Sequence, residues 1–228
     1  MIDIYYIVLV LPALLLGMWA QNRVNSAFSR YSQVRAYRGY TGAMAAELIL
    51  RENGINDVRI ERIAGNLTDH FDPRSKVIRL SDSVFGSSSI AAIGVAAHEA
   101  GHAVQHAVGY FPIRIRNLFV PVANFGSKIS VPLIILGVVL SFQGLITFGI
   151  LLFSTVAIFQ LITLPVEFDA SRRALEVLGG TGLLEGEEIN GAKKVLSAAA
   201  MTYVAALISS VAQLLRLIGL YGNRRDRR

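Results

Sequence analysis

The stretch SSSIAAIGVAAHEAGHAVQHAVG occupies residues 87–109 and predicts a single buried helix. Ser87-Ser88-Ser89 offers hydroxyl N-caps, and Gly109 is a typical residue at which a helix ends. The segment between them is rich in alanine, the residue with the highest helix propensity. We therefore predict a helix from about Ile90 to Val108, with His98-Glu99-Ala100-Gly101-His102 in its middle.

The spacing of the two histidines in this motif suits metal binding. Residues four apart lie on one face of a helix, so His98 and His102 can direct both imidazoles at one metal ion. Glu99 follows the first imidazole, where a carboxylate can take a proton from water at the metal. Because the chain has no cysteine, any metal must be held by His, Asp or Glu. We predict one Zn²⁺ ion, with Glu99 as the catalytic base.

The alternative interpretation of the motif is purely structural. The two histidines could be core residues satisfied by hydrogen bonds, with Glu99 on a solvated face. However, the surrounding helix is apolar, and burying two imidazoles and a carboxylate there is costly without a metal ion that pairs them. The metal site is therefore the favoured hypothesis.

The composition indicates a membrane protein. Of the 228 residues, 53% are apolar and 17% are charged, and the mean hydropathy is +0.50. The formal net charge of +6 does not indicate a nucleic-acid partner, because Lys and Arg are absent from 1–22 and from 129–171, where the sequence is apolar. Such gaps are typical of membrane topology, so the lipid bilayer is the predicted environment.

Uncharged runs predict where the chain crosses the bilayer. Ile4–Ala20 is just long enough to cross as a helix, and four arginines follow it between residues 23 and 38. This order predicts an anchor with its N-terminus outside and the following chain in the cytoplasm. The uncharged run 129–165 is too long for one crossing, so Ser141-Phe142-Gln143-Gly144 is predicted to turn the chain between two legs.

The last apolar stretch, Ala198–Leu220, is ambiguous. It carries Gln213 and Arg216, and a crossing would leave the basic tail Arg224–Arg228 outside, against the positive-inside tendency. We predict a helix that packs against the catalytic domain or lies at the membrane interface, with a crossing as the alternative.

The main polar stretch follows the anchor and predicts mixed structure. Thr41–Arg51 is predicted to be a capped helix, and Val58–Ile63 alternates like a half-buried strand. Leu67–Phe71 and Lys76–Leu80 flank Asp72-Pro73-Arg74-Ser75, a typical turn sequence. These segments predict a β-hairpin with Val58–Ile63 as its neighbour.

A catalytic zinc usually has three protein ligands, so the motif alone is incomplete. His106 lies two turns from His98, roughly 12 Å by helical rise, which is too far to share the metal. Its predicted role is packing or support of the ligands. His70, in the predicted hairpin, is a candidate ligand, an oxyanion-stabilising group or a turn residue.

Glu167 is the favoured third ligand. A membrane hairpin over 129–165 that returns to the same face would bring it beside the helix of the two histidines. Pro165 is predicted to begin a new helix that contains it. Asp169 is an alternative ligand. In a third interpretation neither Glu167 nor Asp169 binds metal, and both only complement the dipole of that helix.

Motifs along nearly the whole chain resemble known membrane peptidases. The chain resembles the gluzincin membrane peptidases, which include the HtpX heat-shock proteases and the CAAX prenyl proteases. The resemblance lies in the order of three features: the motif His98–His102, a membrane hairpin, and then Glu167-Phe168-Asp169-Ala170. A closer resemblance is to the YugP-like neutral zinc metallopeptidases of bacterial membranes. It lies in Thr41-Gly42-Ala43, Leu67–Pro73 and Ala97–His106.

The resemblance implies a ligand set and a location. It implies one zinc ion on His98, His102 and Glu167, with Glu99 as the base. It also implies a multi-pass protein of the bacterial inner membrane, with the catalytic domain on the cytoplasmic side. The implied partner is a peptide or protein substrate, with membrane proteins among the candidates.

The resemblance also implies a substrate edge and shows one departure. In such peptidases a strand edge near the zinc binds the substrate backbone. In this chain that edge would be Asn66-Leu67-Thr68, with His70 beside it. The alternative is that these residues form a hairpin with a purely structural role. The wider gluzincin pattern often has Asp four residues after the ligand Glu, and this chain has Ser171. Its hydroxyl can support a ligand histidine through a hydrogen bond without adding charge.

Together these features predict an α+β, mainly helical peptidase held by three or four membrane helices. The predicted parts are the anchor 1–22, the zinc peptidase domain 23–128, the transmembrane hairpin 129–165, and 166–228, which carries the third-ligand helix and the C-terminal Ala-rich helix. The predicted function is hydrolysis of peptide bonds at the cytoplasmic membrane face. The alternative is a non-catalytic zinc-binding membrane protein that acts through protein partners.

Overall fold

The computed structural model describes residues 3–222 of the chain. Its helices are a π-helical turn over Tyr6–Val10, then α1 (Leu11–Ser32), α2 (Gly42–Glu52), α3 (Asp82–Phe85), α4 (Ile90–Ala107), α5 (Phe111–Val139), α6 (Gln143–Gly180) and α7 (Glu187–Tyr221). Its strands are β1 (Arg59–Ile63), β2 (His70–Asp72) and β3 (Val77–Ser81). The predicted α+β, mainly helical fold is confirmed.

Two helices begin at the hydroxyl caps that the sequence predicts. The Thr41 hydroxyl accepts a hydrogen bond from the Met44 N–H at 3.3 Å, just before α2. The Ser89 hydroxyl accepts one from the Ala92 N–H at 3.2 Å, just before α4. Because these caps satisfy otherwise unpaired N–H groups, they fix where each helix starts. The predicted motif helix is confirmed over Ile90–Ala107.

The three strands form one sheet in the order β1-β3-β2, with β1 parallel and β2 antiparallel to β3. The predicted hairpin is confirmed, and Asp72 holds its turn by accepting hydrogen bonds from the Ser75 hydroxyl at 2.6 Å and the Arg74 N–H at 2.9 Å. These bonds lower the pKa of Asp72 to about 2. The predicted strand start at Leu67 is wrong, since β2 begins at His70. Leu67 has φ +53°, a left-handed conformation outside the β region that regular strands occupy.

The helix that carries Glu167 is longer than predicted. The predicted helix start at Pro165 is wrong, because α6 runs without a break from Gln143 to Gly180. A proline inside a helix removes one hydrogen bond, but helices in apolar surroundings tolerate this where neighbouring groups satisfy the freed carbonyl. Because Glu167 lies far from either end of α6, it does not complement the dipole of a first turn.

The described chain divides into two compact units, each built from segments distant in sequence. The first, called the apolar unit, contains residues 3–20, 114–164 and 202–222. The second, called the site unit, contains residues 21–113 and 165–201. All three strands and the motif helix α4 belong to the site unit.

Four helices in residues 3–222 are long and apolar enough to cross a membrane: Tyr6–Ser32, Phe111–Val139, Gln143–Gly180 and Glu187–Tyr221. Within the apolar unit, α5 and α6 approach each other closely at glycines. A Cβ at Gly126 would lie 2.6 Å from the Leu152 carbonyl oxygen, and one at Gly149 would lie 2.9 Å from the Ser130 carbonyl oxygen. Small residues at such contacts are typical of helices that pack in membranes.

The two ends of the apolar unit are paired. Arg216 of α7 donates hydrogen bonds to the Asp3 carboxylate from Nη2 at 2.6 Å and from Nε at 2.9 Å. Two turns earlier on α7, the Ser209 hydroxyl donates a hydrogen bond to the Ala13 carbonyl oxygen of α1 at 3.4 Å. The two helices therefore run antiparallel, and the charge of Arg216 is neutralised among apolar helices.

The core of the site unit surrounds α4. Its buried aliphatic side chains come from α2, β3, α4, α6 and α7, and they include Ile49, Ile78, Ile93, Leu178 and Leu196. The alanines of α4 let these neighbours approach closely. Because α4 is enclosed from several directions, its buried polar residues, His102 and Gln105, are held in fixed positions.

Candidate metal centre

Three predicted ligand side chains converge in the site unit. His98 and His102 come from adjacent turns of α4, and Glu167 comes from α6. The Glu167 Oε2 atom lies 3.2 Å from His98 Nε2 and 3.6 Å from His102 Nε2. One ligating atom from each of the three residues lies within 4.8 Å of the other two. This arrangement can hold one metal ion.

The site favours positive charge. The Glu167 side chain is only 2% exposed, and a buried carboxylate needs a cation or several hydrogen-bond donors beside it. Burial by itself lowers the pKa of His102, but the contact with Glu167 and the charge of Glu99 outweigh burial and raise that pKa above its ordinary value. The donor set of two imidazoles and one carboxylate therefore fits a divalent cation such as zinc.

Each histidine uses its other ring nitrogen for a second hydrogen bond. His98 Nδ1 lies 3.1 Å from Ser171 Oγ, and His102 Nδ1 lies 3.0 Å from Gln105 Oε1. Because an amide oxygen only accepts, His102 carries a proton on Nδ1, which leaves Nε2 of the neutral ring free to bind a metal. The structure thus places Ser171 against His98, a predicted ligand, with a hydroxyl where the wider pattern has a carboxylate.

Gln105 is held in one orientation by α6. Its Nε2 donates to the Val166 carbonyl oxygen at 2.7 Å and to Asp169 Oδ2 at 2.9 Å, which turns Oε1 toward His102. Asp169 is in turn fixed by Arg173, whose Nε lies 2.6 Å from Oδ2. Asp169 therefore orients Gln105 and does not belong to the three-residue cluster.

Gln105 is not among the site residues that the sequence predicts. It is fully buried and lies three residues after His102, on the same face of α4. A glutamine among alanines and valines in so apolar a helix is the signal that could have identified it. Its partners on α6 are 61 and 64 residues away, so no local pattern reveals them.

Gln105→Leu should weaken zinc binding by about 10- to 100-fold, the usual effect of removing a hydrogen-bond partner of a ligand histidine. Leucine has a similar size but cannot orient the His102 ring. A zinc titration against a competing chelator measures this affinity, and Gln21→Leu, the same change at an exposed position, is the matched control. Unchanged affinity in Gln105→Leu would show that the glutamine does not support the site.

The helices α4 and α6 meet at the middle glycine of the motif. A Cβ at Gly101 would lie 2.6 Å from the Ala170 carbonyl oxygen, a distance that side-chain carbons do not adopt. Only glycine therefore allows α6 to pass this close to α4. This close approach brings Glu167 and Ser171 to the two histidines.

Glu99 lies beside the cluster without belonging to it. Its side chain is half-buried, and its negative charge acts on His102. The three clustered ligand atoms belong to other residues. Glu99 is therefore not one of the three clustered residues that could hold a metal ion.

The remaining predicted site residues lie outside the cluster. His106 is exposed, and its ring packs edge-on against Phe71 with centroids 5.9 Å apart. His70 begins β2, and its Nδ1 lies 2.9 Å from the Thr68 carbonyl oxygen. The segment just before β2 contains Asn66, Leu67 and Thr68.

Comparison with known proteins places the chain in a family. The family model described as "Putative neutral zinc metallopeptidase" matches residues 6–222. The chain belongs to this family. It is also 48% identical over 221 residues to the "Putative membrane protease YugP" of Bacillus subtilis (strain 168), a match that covers 97% of this chain and 98% of the relative. No solved structure matches it.

Membership of the neutral zinc metallopeptidase family confirms the resemblance to YugP-like peptidases that the motifs indicate. A zinc peptidase family also agrees with a cluster of two histidines and one glutamate. Neither the family match nor the match to YugP tests a relation to the HtpX or CAAX prenyl proteases, so that wider relation stays a prediction.

Proposed function

We propose that this member of the family is a membrane-bound, zinc-dependent metalloendopeptidase that hydrolyses peptide bonds. The observation that carries the proposal is the convergence of His98, His102 and Glu167 next to Glu99. Two imidazoles and one carboxylate are a usual ligand set for catalytic zinc, which keeps a further position open for substrate. The family description and the name of the relative support the same activity.

In the proposed mechanism, His98, His102 and Glu167 would hold one Zn²⁺ ion. The bound ion would supply Lewis acidity for the substrate carbonyl and would make water more acidic. Glu99 takes the proton from the attacking water and delivers it to the leaving amine. Hydrogen bonds at the two Nδ1 atoms keep the imidazoles oriented while the reaction proceeds.

The open edge of the sheet is the proposed docking place for the substrate backbone. β2 is an edge strand, and its Phe71 packs against His106 of α4, so this edge lies beside the motif helix. Asn66–Thr68 lead into β2, and Leu67 is 42% exposed. An extended peptide can add to such an edge through backbone hydrogen bonds, with His70 beside it.

A non-catalytic zinc-binding membrane protein is the alternative function, and cleavage measurements decide between the two. The full-length protein in proteoliposomes should cleave quenched-fluorescence peptides. Chelation of zinc should abolish cleavage, and added Zn²⁺ should restore it, because the His-His-Glu set prefers zinc over Ca²⁺ or Mg²⁺. Cleavage that persists in the metal-free protein would contradict a zinc-dependent mechanism, and a folded, zinc-loaded protein that cleaves no peptide would support the alternative.

The proposed location is the bacterial inner membrane, with the site unit on the cytoplasmic side. The support is the distribution of charge: the uncharged run Ile4–Ala20 is followed by Arg23, Arg30, Arg35 and Arg38. Lys and Arg accumulate on the cytoplasmic side of membrane helices. All four of these arginines belong to the site unit.

The proposed topology has four crossings, including α7. The bonds Arg216–Asp3 and Ser209–Ala13 align the second half of α7 with α1, so both helices reach the same depth. The pairing with Asp3 removes much of the cost of Arg216 in lipid. This proposal replaces the packed or interfacial helix that the sequence favours. That prediction rested on Gln213 and Arg216 and on the basic tail 224–228, which lies outside the described residues.

A reporter fused after Arg228 should therefore read as external. Alkaline phosphatase at this position should be active, and a fluorescent protein that folds only in the cytoplasm should be dark. The control is a reporter inserted at Gly39, in the loop between α1 and α2, which should read as cytoplasmic. A cytoplasmic signal after Arg228 would show that α7 does not cross.

A further inference from the structure

A cavity of about 510 Å³ lies between α1 and α7 within the site unit. Three cations line it: Arg23 from α1, and Lys193 and Lys194 from α7. One carboxylate, Glu187, lines it as well and accepts a hydrogen bond from the Asn190 amide at 3.3 Å. The excess of cations favours an anionic ligand, and the volume is in the range of small-molecule sites.

This cavity lies where both helices change from charged to apolar sequence. Arg23 comes one helical turn after the uncharged run Ile4–Ala20. Lys194 comes one turn before Ala198, where the apolar stretch of α7 begins. Ala198 and Met201 also line the cavity, so cationic and apolar groups face the same space. A ligand that fits both must combine an anionic head with a hydrocarbon part.

We propose that this cavity binds the headgroup of an anionic phospholipid. Arg23, Lys193 and Lys194 face the phosphate, and Ala198 and Met201 face the first acyl carbons. Basic residues just outside the apolar part of a membrane helix meet the lipid phosphates, and a pocket there adds a defined site to this general attraction. The site shares no residue with the metal centre, so it does not depend on peptidase activity.

Native mass spectrometry of the full-length protein in mild detergent tests the site. The probes are phosphatidylglycerol and phosphatidylcholine with identical acyl chains, added at equal concentration. The wild type should retain one phosphatidylglycerol in preference to phosphatidylcholine. Lys193→Gln/Lys194→Gln should weaken this retention by about 25-fold, because each cation near the lipid phosphates contributes about fivefold.

Two matched variants make the result specific. Lys193→Arg/Lys194→Arg keeps both charges and should retain the lipid, whereas Arg51→Gln/Arg74→Gln removes the same charge from exposed positions outside the cavity and should change nothing. Equal retention of both lipids by the wild type would overturn the proposal, as would equal loss in the Arg51/Arg74 variant. Displacement of the lipid by equimolar glycerol phosphate would also overturn it, because the site would then be one for soluble anions.

Discussion

Glu99→Gln is expected to abolish peptide cleavage while the protein still binds one zinc ion. Glutamine has nearly the size of glutamate but cannot accept a proton, and loss of a general base usually lowers the rate by about 10²- to 10⁴-fold. The three clustered ligand atoms come from other residues, so metal binding should survive. The measurements are kcat/KM on a peptide substrate and the zinc content per chain.

The outcome of this substitution separates the proposed roles. Glu47→Gln, the same change at an exposed position of α2, is the control and should cleave like the wild type. If Glu99→Gln cleaves at the wild-type rate, Glu99 is not the base. If the variant loses zinc together with activity, the Glu99 carboxylate supports metal binding, and the loss of activity no longer indicates a role as a base. An inactive variant that still binds zinc should also trap substrate proteins in membranes, which would identify them.

Glu167→Gln is expected to lower zinc affinity by on the order of 100-fold or more, beyond the usual effect of losing a group that only supports a ligand. The Glu167 carboxylate lies within 3.6 Å of both imidazole Nε2 atoms and is almost fully enclosed. The neutral amide keeps the shape of the side chain but cannot pair with a protonated His102, so the metal-free fold should lose some stability. A zinc titration measures the affinity, and thermal unfolding without metal measures the fold.

The matched control for this substitution lies on the same helix. Glu176→Gln makes the same chemical change nine residues further along α6, where the carboxylate is exposed and pairs with Arg172. It should bind zinc like the wild type. Unchanged zinc affinity in Glu167→Gln would exclude Glu167 as a ligand, and the third ligand would have to be sought elsewhere.

Local features of the sequence predict much of the fold because they act within a few residues. The caps at Thr41 and Ser89 are each satisfied three residues later, and the Asp72 turn closes within the same span. The prediction fails where a single residue adopts an unexpected conformation. Leu67 has a left-handed backbone conformation, so β2 begins after it, at His70. Pro165 lies inside a helix that continues past it.

By itself the sequence determined the motif helix α4, with two imidazoles and one carboxylate on it, because helical periodicity places residues four apart on one face. Only the tertiary structure decided what completes the site. Glu167 lies 69 residues from His98, and the two meet because Gly101 lets α6 pass against α4. The orientation of His102 through Gln105 likewise depends on α6. Such contacts depend on how distant helices pack, and this information is not contained in any local periodicity.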